Sequence, residues 1–238
     1  MKKIFVVSDV HGHYTILKKS LDSAGYNSNN ENHFLVCCGD YFDRGDENVE
    51  VMKFFERIKN KALIRGNHED LLLELFKTGK LKPHNYSNGT INTIQNFFGK
   101  FCIDPVDDSI DFSGKTRILD RICEFIEETV DYFETERYVF VHGWIADKAV
   151  TTQKRESTNK SEWKKARWKL WADNYNGERP LENKTLVCGH QPTFVAKKFD
   201  DSRDGECVDI FYGNGLIAID AATADTKQIN VLVIEDNI

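Results

Sequence analysis

The chain has 238 residues, of which 40% are hydrophobic and 29% charged, and this composition is typical of a globular protein with its own hydrophobic core. A formal net charge of −6 argues against a protein that coats nucleic acid or an anionic membrane surface, because such proteins depend on an excess of Lys and Arg. The six cysteines include no CxxC pair, so we expect buried thiols in a reducing compartment and no disulfide framework.

The first apolar run, Ile4–Val7, follows two lysines as the core of a signal peptide would, but the run is too short for one. No later apolar run approaches the roughly 20 residues that a membrane-spanning helix needs. We therefore predict a cytoplasmic protein whose partners include neither a membrane nor a nucleic acid.

Short apolar runs along the chain predict buried strands of a sheet that is covered on both faces. Helical patterns separate the first of these runs: Leu17, Leu21 and Ala24 recur at helical spacing, and a second pattern follows Asp46, which we expect to cap that helix. This alternation predicts an α/β layer fold. The predicted strands are Ile4–Val7, Phe34–Cys38, Ala62–Ile64, Tyr138–Val141, Thr185–Cys188, Gly215–Ile219 and Val231–Ile234.

The alternation stops between residues 70 and about 135, where apolar side chains recur at helical spacing and predict a helical insertion. A second excursion, residues 145–184, contains Trp163, Trp168 and Trp171, which we expect on one helix and in the core. No internal repeat or long linker divides the chain. We therefore predict a single domain over residues 1–238 with a helical insertion at about 70–135.

Polar residues that suit a metal ion follow five of the predicted strands, in each case beside a glycine. Because the carboxyl ends of the strands form the ligand-binding edge of an open α/β sheet, these side chains can meet there. Carboxylates and imidazoles suit Mn, Fe or Zn, and the lack of thiolates argues against a structural zinc site. The sequence thus predicts a pair of divalent ions, with Asp40 as the bridge. The predicted ligands are Asp9, His11, Asp40, Asn67, His142 and His190.

The predicted ligands lie in five sequence blocks. These are Asp9-Val10-His11-Gly12, Gly39-Asp40-Tyr41-Phe42-Asp43-Arg44-Gly45, Arg65-Gly66-Asn67-His68-Glu69, His142-Gly143 and Gly189-His190. In this order they resemble the signature of the calcineurin-like metallophosphoesterases. The closer resemblance is to the phosphoprotein phosphatase branch, which contains Ser/Thr protein phosphatases and bacterial symmetrical diadenosine tetraphosphate hydrolases. Gln191-Pro192 follows the last block, where nuclease-like members place a further histidine, and this also favours the phosphatase branch.

The resemblance implies a layered β-sandwich core flanked by helices, with a helical cap insertion, and it implies how two divalent ions are held. Mn, Fe and Zn are the candidates, and we expect Mn to support activity in vitro. A hydroxide that bridges the two ions would attack phosphorus in line. The first ion would be held by Asp9, His11 and Asp40, and the second by Asp40, Asn67, His142 and His190.

The resemblance also implies the catalytic and phosphate-binding residues. His68 would protonate the departing oxygen, and the Asp43 carboxylate would orient it. Arg44 would hold phosphate oxygens with its fork of donors, together with Asn67 and with Arg167.

The resemblance leaves the roles of three features of the site open. Trp144 stands where the family has a second glycine, and its indole could narrow the cleft or stack on a substrate ring. Arg65 is assigned either to a structural ion pair with Glu69 or to the substrate. The second phosphate-binding arginine has three candidates, of which we favour the middle one: Arg155, Arg167 and Arg179.

We predict a dinuclear-metal phosphohydrolase that cleaves phosphomonoesters, with phosphoserine or phosphothreonine in proteins as its substrate. One alternative is a hydrolase of dinucleoside polyphosphates or other nucleotides, since the motifs do not describe the rim of the site. Another is a non-catalytic binding module that keeps the metal cluster as a structural core. The acid pair His68 and Asp43 and the anion clamp Arg44 argue against that module, because a structural site needs none of them.

Overall fold

Two β-sheets lie face to face at the centre of the computed structural model, which describes residues 1–238. The first sheet has four strands, in which β1 (Lys2–Val7), β2 (His33–Cys37) and β3 (Lys61–Leu63) are parallel. The strand β9 (Leu232–Asp236) pairs with the free side of β1 in the antiparallel direction. The spatial order is therefore β3-β2-β1-β9.

The second sheet has five strands in the order β4-β5-β6-β8-β7. Its three central strands are parallel, and the two edge strands are antiparallel to their neighbours. All of the strands predicted from the sequence are present, whereas β4 and β7 were missed because two or three residues carry no readable alternation. The strands are β4 (Phe133–Glu134), β5 (Tyr138–Phe140), β6 (Thr185–Cys188), β7 (Phe211–Gly213) and β8 (Leu216–Ala218).

Alternate side chains of each central strand face the other sheet or the helices. In β1, Ile4 and Val6 are buried between the two sheets, while Phe5 and Val7 are buried under helices. Side chains of a strand alternate between the two faces, so a strand covered on both faces is apolar at every position. This explains the uninterrupted apolar run in the sequence and confirms the layered two-sheet core that the resemblance implied.

Helices cover the outer face of the first sheet. The second of them, α2, begins at Asn48 with Glu47 as its N-cap residue, so the prediction that Asp46 caps it was wrong. The Glu47 carboxylate accepts hydrogen bonds from Thr15 on the neighbouring helix instead of capping its own. The helices on this side are α1 (Tyr14–Ser23), α2 (Asn48–Arg57), α3 (Asn67–Thr78), α4 (Pro83–Ser87), α5 (Thr90–Phe98) and α6 (Thr116–Glu127).

Shorter helices cover the outer face of the second sheet. The prediction of one tryptophan-rich helix was wrong: Trp163 lies on α8, Trp171 begins α9, and Trp168 lies in the turn between them. Helix α8 ends at Ala166, where the carbonyl of that residue accepts hydrogen bonds from the backbone N–H groups of Trp144 and Lys169. These helices are α7 (Thr152–Ser157), α8 (Lys160–Ala166), α9 (Trp171–Asn174) and a 3-10 helix (Thr193–Lys198), and a further short helix, α10 (Thr223–Thr226), precedes β9. None of the helices has both the length and the apolar character needed to span a membrane.

An ion pair between the buried Arg155 and the partly buried Glu134 joins the edge strand β4 to α7. The Glu134 carboxylate accepts from Arg155 Nε at 3.0 Å and from Arg155 Nη2 at 2.6 Å, and Lys184 Nζ lies 2.7 Å from it. Burial alone would raise the pKa of Glu134, but the hydrogen bonds from Arg155, Lys184 and Thr152 outweigh burial and hold the pKa at about 2. The candidate phosphate ligand Arg155 therefore has a structural role.

We expect Glu134→Gln to lower the free energy of unfolding at pH 7 by about 1–3 kcal/mol, because the buried Arg155 guanidinium loses its charged partner. The pKa is lower in the folded chain, so the ionised Glu134 stabilises the fold above its ordinary pKa, and this contribution is lost as the pH falls towards 2. Urea denaturation at pH 7 and pH 3 checks both expectations. From pH 7 to pH 3, the unfolding free energy of the variant should fall less than that of the wild type. Glu136→Gln, at an exposed neighbour, is the control and should behave as the wild type. An unchanged unfolding free energy at pH 7 would contradict the prediction.

Candidate active site

The six predicted metal ligands lie together at the point where five strands end. Asp9 and His11 follow β1, Asp40 follows β2, and Asn67 begins the helix after β3. His142 and His190 follow β5 and β6 of the second sheet, so the site lies where the edges of two sheets meet and not at the edge of one. Asp9, His11, Asp40, Asn67 and His142 are buried, and His190 is partly exposed.

The Asp40 carboxylate lies at the centre of this cluster. Its Oδ2 is 3.7 Å from His11 Nε2, and its Oδ1 is 3.4 Å from His142 Nε2. His142 Nε2 is also 2.8 Å from Asn67 Oδ1. Two groups of potential metal-ligand atoms therefore share Asp40, one with His11 and His68 and the other with His142 and His190, and within each group the atoms lie within 4.8 Å of one another.

The protonation of these side chains suits a dication. Burial lowers the pKa of His11 and of His142, and it lowers the pKa of His190 to about 3, so the three imidazoles are neutral at physiological pH. Burial raises the pKa of the Asp40 carboxyl to about 7, and the nearby positive charges of His68 and Arg44 offset only part of this effect. Neutral imidazoles around a buried carboxylate form a donor set that binds divalent metal ions well.

Hydrogen bonds to the backbone orient two of the imidazoles. His11 Nδ1 lies 2.9 Å from the Phe42 carbonyl oxygen, and His142 Nδ1 lies 2.7 Å from the Cys38 carbonyl oxygen. A carbonyl oxygen only accepts, so each Nδ1 carries the proton. The unprotonated Nε2 of each ring therefore faces Asp40, which is the arrangement common around protein metal sites.

Glu69 holds two of the loops together, and the sequence reasoning gave it no such role. Its buried carboxylate accepts hydrogen bonds from the backbone N–H groups of Asp40 at 3.0 Å, Tyr41 at 2.9 Å and Gly66 at 2.9 Å. A Cβ on Gly66 would lie 2.0 Å from Asp40 Oδ1, so only glycine fits there. The glutamate after Asn67-His68 was visible in the sequence, but its partners were not.

The backbone of the site is strained. Outside glycine, positive φ angles are uncommon and cost on the order of 1 kcal/mol or more each, so they persist where the surroundings hold them. Six of the nine non-glycine residues with positive φ in this chain are predicted site residues. They are Asp9, His11, Asp40, Asp43, Arg44 and His190, with φ between 46° and 73°.

The two residues of the predicted acid pair are in contact. His68 Nδ1 lies 2.8 Å from Asp43 Oδ2, both side chains are buried, and His68 Nε2 faces Asp40 Oδ2 at 3.8 Å. Burial lowers the pKa of His68, but the charge of Asp40 and the hydrogen bond to Asp43 outweigh it and raise the pKa to about 9. A protonated imidazole thus points its Nε2 at the centre of the cluster.

The arginines differ in how freely they can bind an anion. Arg44 is exposed, and its guanidinium makes no hydrogen bond or ion pair with the chain. Arg167 is buried, with Nε 2.9 Å from Asp70 Oδ2 and Nη1 2.5 Å from Asp131 Oδ1. These two carboxylates occupy the Arg167 guanidinium, so its predicted phosphate contact has no support in this geometry.

The two remaining arginines also have structural partners. Arg65 Nε donates to Thr129 Oγ1 at 2.9 Å and its Nη2 donates to the Ile126 carbonyl at 2.6 Å, so the expected ion pair with Glu69 is absent. Arg179 donates only to the Lys184 carbonyl, at 3.2 Å.

The two tryptophans near the site exchange the roles that the sequence indicated. Trp144 is 8% exposed and packs in the core behind the second sheet, which leaves no stacking face for a substrate. Trp168 is 46% exposed, and its ring centroid lies 6.4 Å from that of His190 in an edge-on arrangement. An aromatic face is therefore present at the rim of the site, at a residue that the sequence placed in the core.

Comparisons with known proteins agree with this geometry. Serine/threonine-protein phosphatase 2 of Escherichia coli (strain K12) is 33% identical over 78 residues, which cover 33% of this chain and 34% of the relative. The symmetrical bis(5'-nucleosyl)-tetraphosphatase of Wigglesworthia glossinidia brevipalpis is 30% identical over 90 residues, which cover 37% of this chain and 32% of the relative. The matches thus span about a third of the length of these curated relatives.

The fold is similar to that of a solved protein serine/threonine phosphatase from Saccharomyces cerevisiae, with a TM-score of 0.54 and 14% identity over 100% of this chain and 81% of that one. The sequence model of the calcineurin-like phosphoesterase family matches residues 2–220 of this chain. This match covers the five sequence blocks and both sheets up to β8, and it confirms the resemblance seen in the sequence. The chain therefore belongs to the calcineurin-like phosphoesterase family.

Proposed function

We propose that the chain is a dinuclear-metal phosphohydrolase that cleaves phosphomonoesters, with phosphoserine and phosphothreonine in proteins as its substrates. The observation that carries this proposal is the hydrogen bond of 2.8 Å between His68 and Asp43, beside the Asp40 cluster. An alkoxide of high pKa leaves phosphorus slowly unless it is protonated, so a serine or threonine ester needs such an acid. A leaving group that is itself a phosphate needs it much less.

The proposal assigns two groups of ligands to two divalent ions. Neutral buried imidazoles, a shared carboxylate and the absence of thiolates support Mn, Fe or Zn at these positions. Bound there, the two ions would stabilise charge on the phosphoryl group and supply a nucleophile at neutral pH. The assigned ligands are Asp9, His11 and Asp40 for one ion, and Asp40, Asn67, His142 and His190 for the other.

The side chains of the protein then have separate tasks. The free guanidinium of Arg44 is suited to holding two phosphate oxygens in a bidentate contact. Asp43 accepts the Nδ1 proton of His68 and so directs Nε2 at the leaving oxygen. The negative charge of Asp40 helps to raise the pKa of His68, and cations bound to Asp40 would offset this effect. The hydrogen bond to Asp43 would then be what keeps the proton on the His68 ring.

We propose also that residues 1–238 form one domain, with α3 to α6 as the helical insertion at about 70–135, and that the protein is cytoplasmic. All six cysteines are free thiols in the structure and four are buried, which fits a reducing compartment.

A nucleotide hydrolase is the second candidate, and the exposed indole of Trp168 is the observation that favours it. A nucleobase stacks well on an exposed aromatic face, and Trp168 offers one beside His190. The relatives include a tetraphosphatase by name as well as a protein phosphatase. The acid pair favours the phosphomonoester, so we place the nucleotide second.

The first prediction concerns the metal ions. Protein purified with Mn²⁺ should contain two ions per chain and hydrolyse 4-nitrophenyl phosphate, and a chelator should abolish turnover. Asp40→Asn removes the shared charge, so we expect about one ion or fewer per chain and a loss of at least about 100-fold in kcat. Elemental analysis and thermal shift with Mn²⁺ measure this. Asp46→Asn, an exposed residue on the same loop, is the control. Wild-type protein that binds fewer than two ions would contradict the assignment.

The second prediction concerns the acid. We expect His68→Asn to lower kcat on a phosphoserine peptide by about 10²–10⁴-fold, and to lower it much less on 4-nitrophenyl phosphate, because nitrophenolate leaves without a proton. Metal content should stay at the wild-type level. His84→Asn, at an exposed histidine, is the control. Full activity of the His68 variant on the peptide would show that the acid role is wrong.

The third prediction separates the two substrate classes. If phosphoproteins are the substrate, kcat/KM should be higher for a phosphoserine peptide than for diadenosine tetraphosphate, and Trp168→Ala should leave the peptide value unchanged. If nucleotides are the substrate, the order reverses and Trp168→Ala should raise the KM for the dinucleotide about 10- to 100-fold, since a stacked base contributes about 1–3 kcal/mol. Tyr212→Ala, at another exposed aromatic residue, is the control.

A further inference from the structure

The first turn of α5 contacts the acid pair. Thr90 Oγ1 lies 2.9 Å from Asp43 Oδ2, the oxygen that also contacts His68 Nδ1. Thr93 Oγ1 lies 2.9 Å from Asp43 Oδ1. Asp43, Thr90 and Thr93 are all at most 1% exposed, so water cannot replace either hydroxyl. Both oxygens of the carboxylate therefore have fixed donors.

The Thr93 hydroxyl holds Asp43 at two points. It accepts the backbone N–H of Asp43 at 2.9 Å, so its single proton is free to be donated. The Asp43 carboxylate at 2.9 Å is closer and more strongly accepting than Asn48 Oδ1 at 3.3 Å. The hydroxyl thus ties the backbone and the carboxylate of Asp43 to one point on α5.

The same turn supports the backbone next to Asp43. Asn92 Nδ2 donates to the Arg44 carbonyl at 2.7 Å, and a Cβ on Gly89 would lie 2.7 Å from the Arg44 Cα. Asp43 and Arg44 have φ angles of 73° and 64°, a conformation that needs support from its surroundings. The start of α5 supplies that support over the whole loop.

We propose that Thr90 and Thr93 are positioning residues for the acid pair, which fix the rotation of the Asp43 carboxylate and thereby the direction of His68 Nε2. The terminal torsion of an aspartate is broad, so its rotamer preference alone does not hold the carboxylate plane. Two hydroxyl donors remove that freedom. The inference rests on the proposed function, in which His68 protonates the leaving oxygen, and it makes a helix of the insertion part of the catalytic machinery.

The test compares two esters whose leaving groups differ in their need for a proton. We expect Thr93→Val, which keeps the shape of the side chain and removes the hydroxyl, to lower kcat on a phosphoserine peptide about 10- to 100-fold with little change in KM. The loss on 4-nitrophenyl phosphate should stay within about threefold. Thr90→Val should act in the same direction, and Thr93→Ser should restore most of the peptide activity.

A buried threonine outside the site provides the matched control. Thr135 Oγ1 donates to the buried Asp236 carboxylate at 2.6 Å, so Thr135→Val removes the same kind of hydrogen bond. It should lower the melting temperature and leave the ratio of the two activities unchanged. The inference would be overturned if Thr93→Val lowered kcat equally on both esters. It would also be overturned if Thr135→Val changed the ratio of the two activities as much as Thr93→Val does.

A second measurement does not depend on turnover. In metal-free protein labelled with ¹⁵N-histidine, the Nδ1 proton of His68 should give a downfield resonance that His68→Asn removes. Thr93→Val should shift or broaden it, and Thr93→Ser and Thr135→Val should not. An unchanged resonance in Thr93→Val would overturn the positioning role, and this result does not depend on any activity of the protein. If the wild-type protein hydrolysed neither ester, the proposed function would be contradicted, whatever the resonance showed.

Discussion

The buried carboxylate of Asp40 is the group on which the rest of the site depends. A charge in the interior is costly unless opposite charge and hydrogen-bond donors surround it. The backbone N–H of His68 donates to its Oδ1 at 3.1 Å, and neutral imidazoles face both of its oxygens. The protonated imidazole of His68, whose Nε2 lies 3.8 Å from Oδ2, and the charge of Arg44 offset only part of the cost of burying Asp40. Divalent cations bound there would supply further positive charge. The fold therefore places at Asp40 a buried negative charge that suits bound divalent cations.

The backbone around Asp40 is strained, and hydrogen bonds within the site loops hold it in this conformation. Glu69 binds three backbone N–H groups of the loops after β2 and β3, and two imidazoles are fixed by carbonyl oxygens. Positive φ angles at six site residues are tolerated because these contacts hold them. The side chains that would touch substrate are thus few, and the residues that position them are more numerous.

The acidic character of the chain does not oppose an anionic substrate. The net charge of −6 describes the protein without ions. Two dications on a site with the carboxylates of Asp9 and Asp40 would leave about two positive charges, and the exposed Arg44 adds another at the rim. A phosphate dianion is then attracted locally, although the whole surface is acidic. Charge counting from the composition excluded a polybasic binder but could not describe a cleft of this kind.

The sequence by itself determined seven of the nine strands and the residues at their ends. A strand buried on both faces must be apolar at every position, and side chains at the ends of parallel strands must meet, so both patterns are visible along the chain. Only the tertiary structure decided which arginine is free and which residues hold the acid pair. Arg167 binds Asp70 across 97 positions, and Thr93 binds Asp43 across 50. Such contacts follow no local period, because they arise from how helices pack on the finished sheets, and one sequence carries no signal for them.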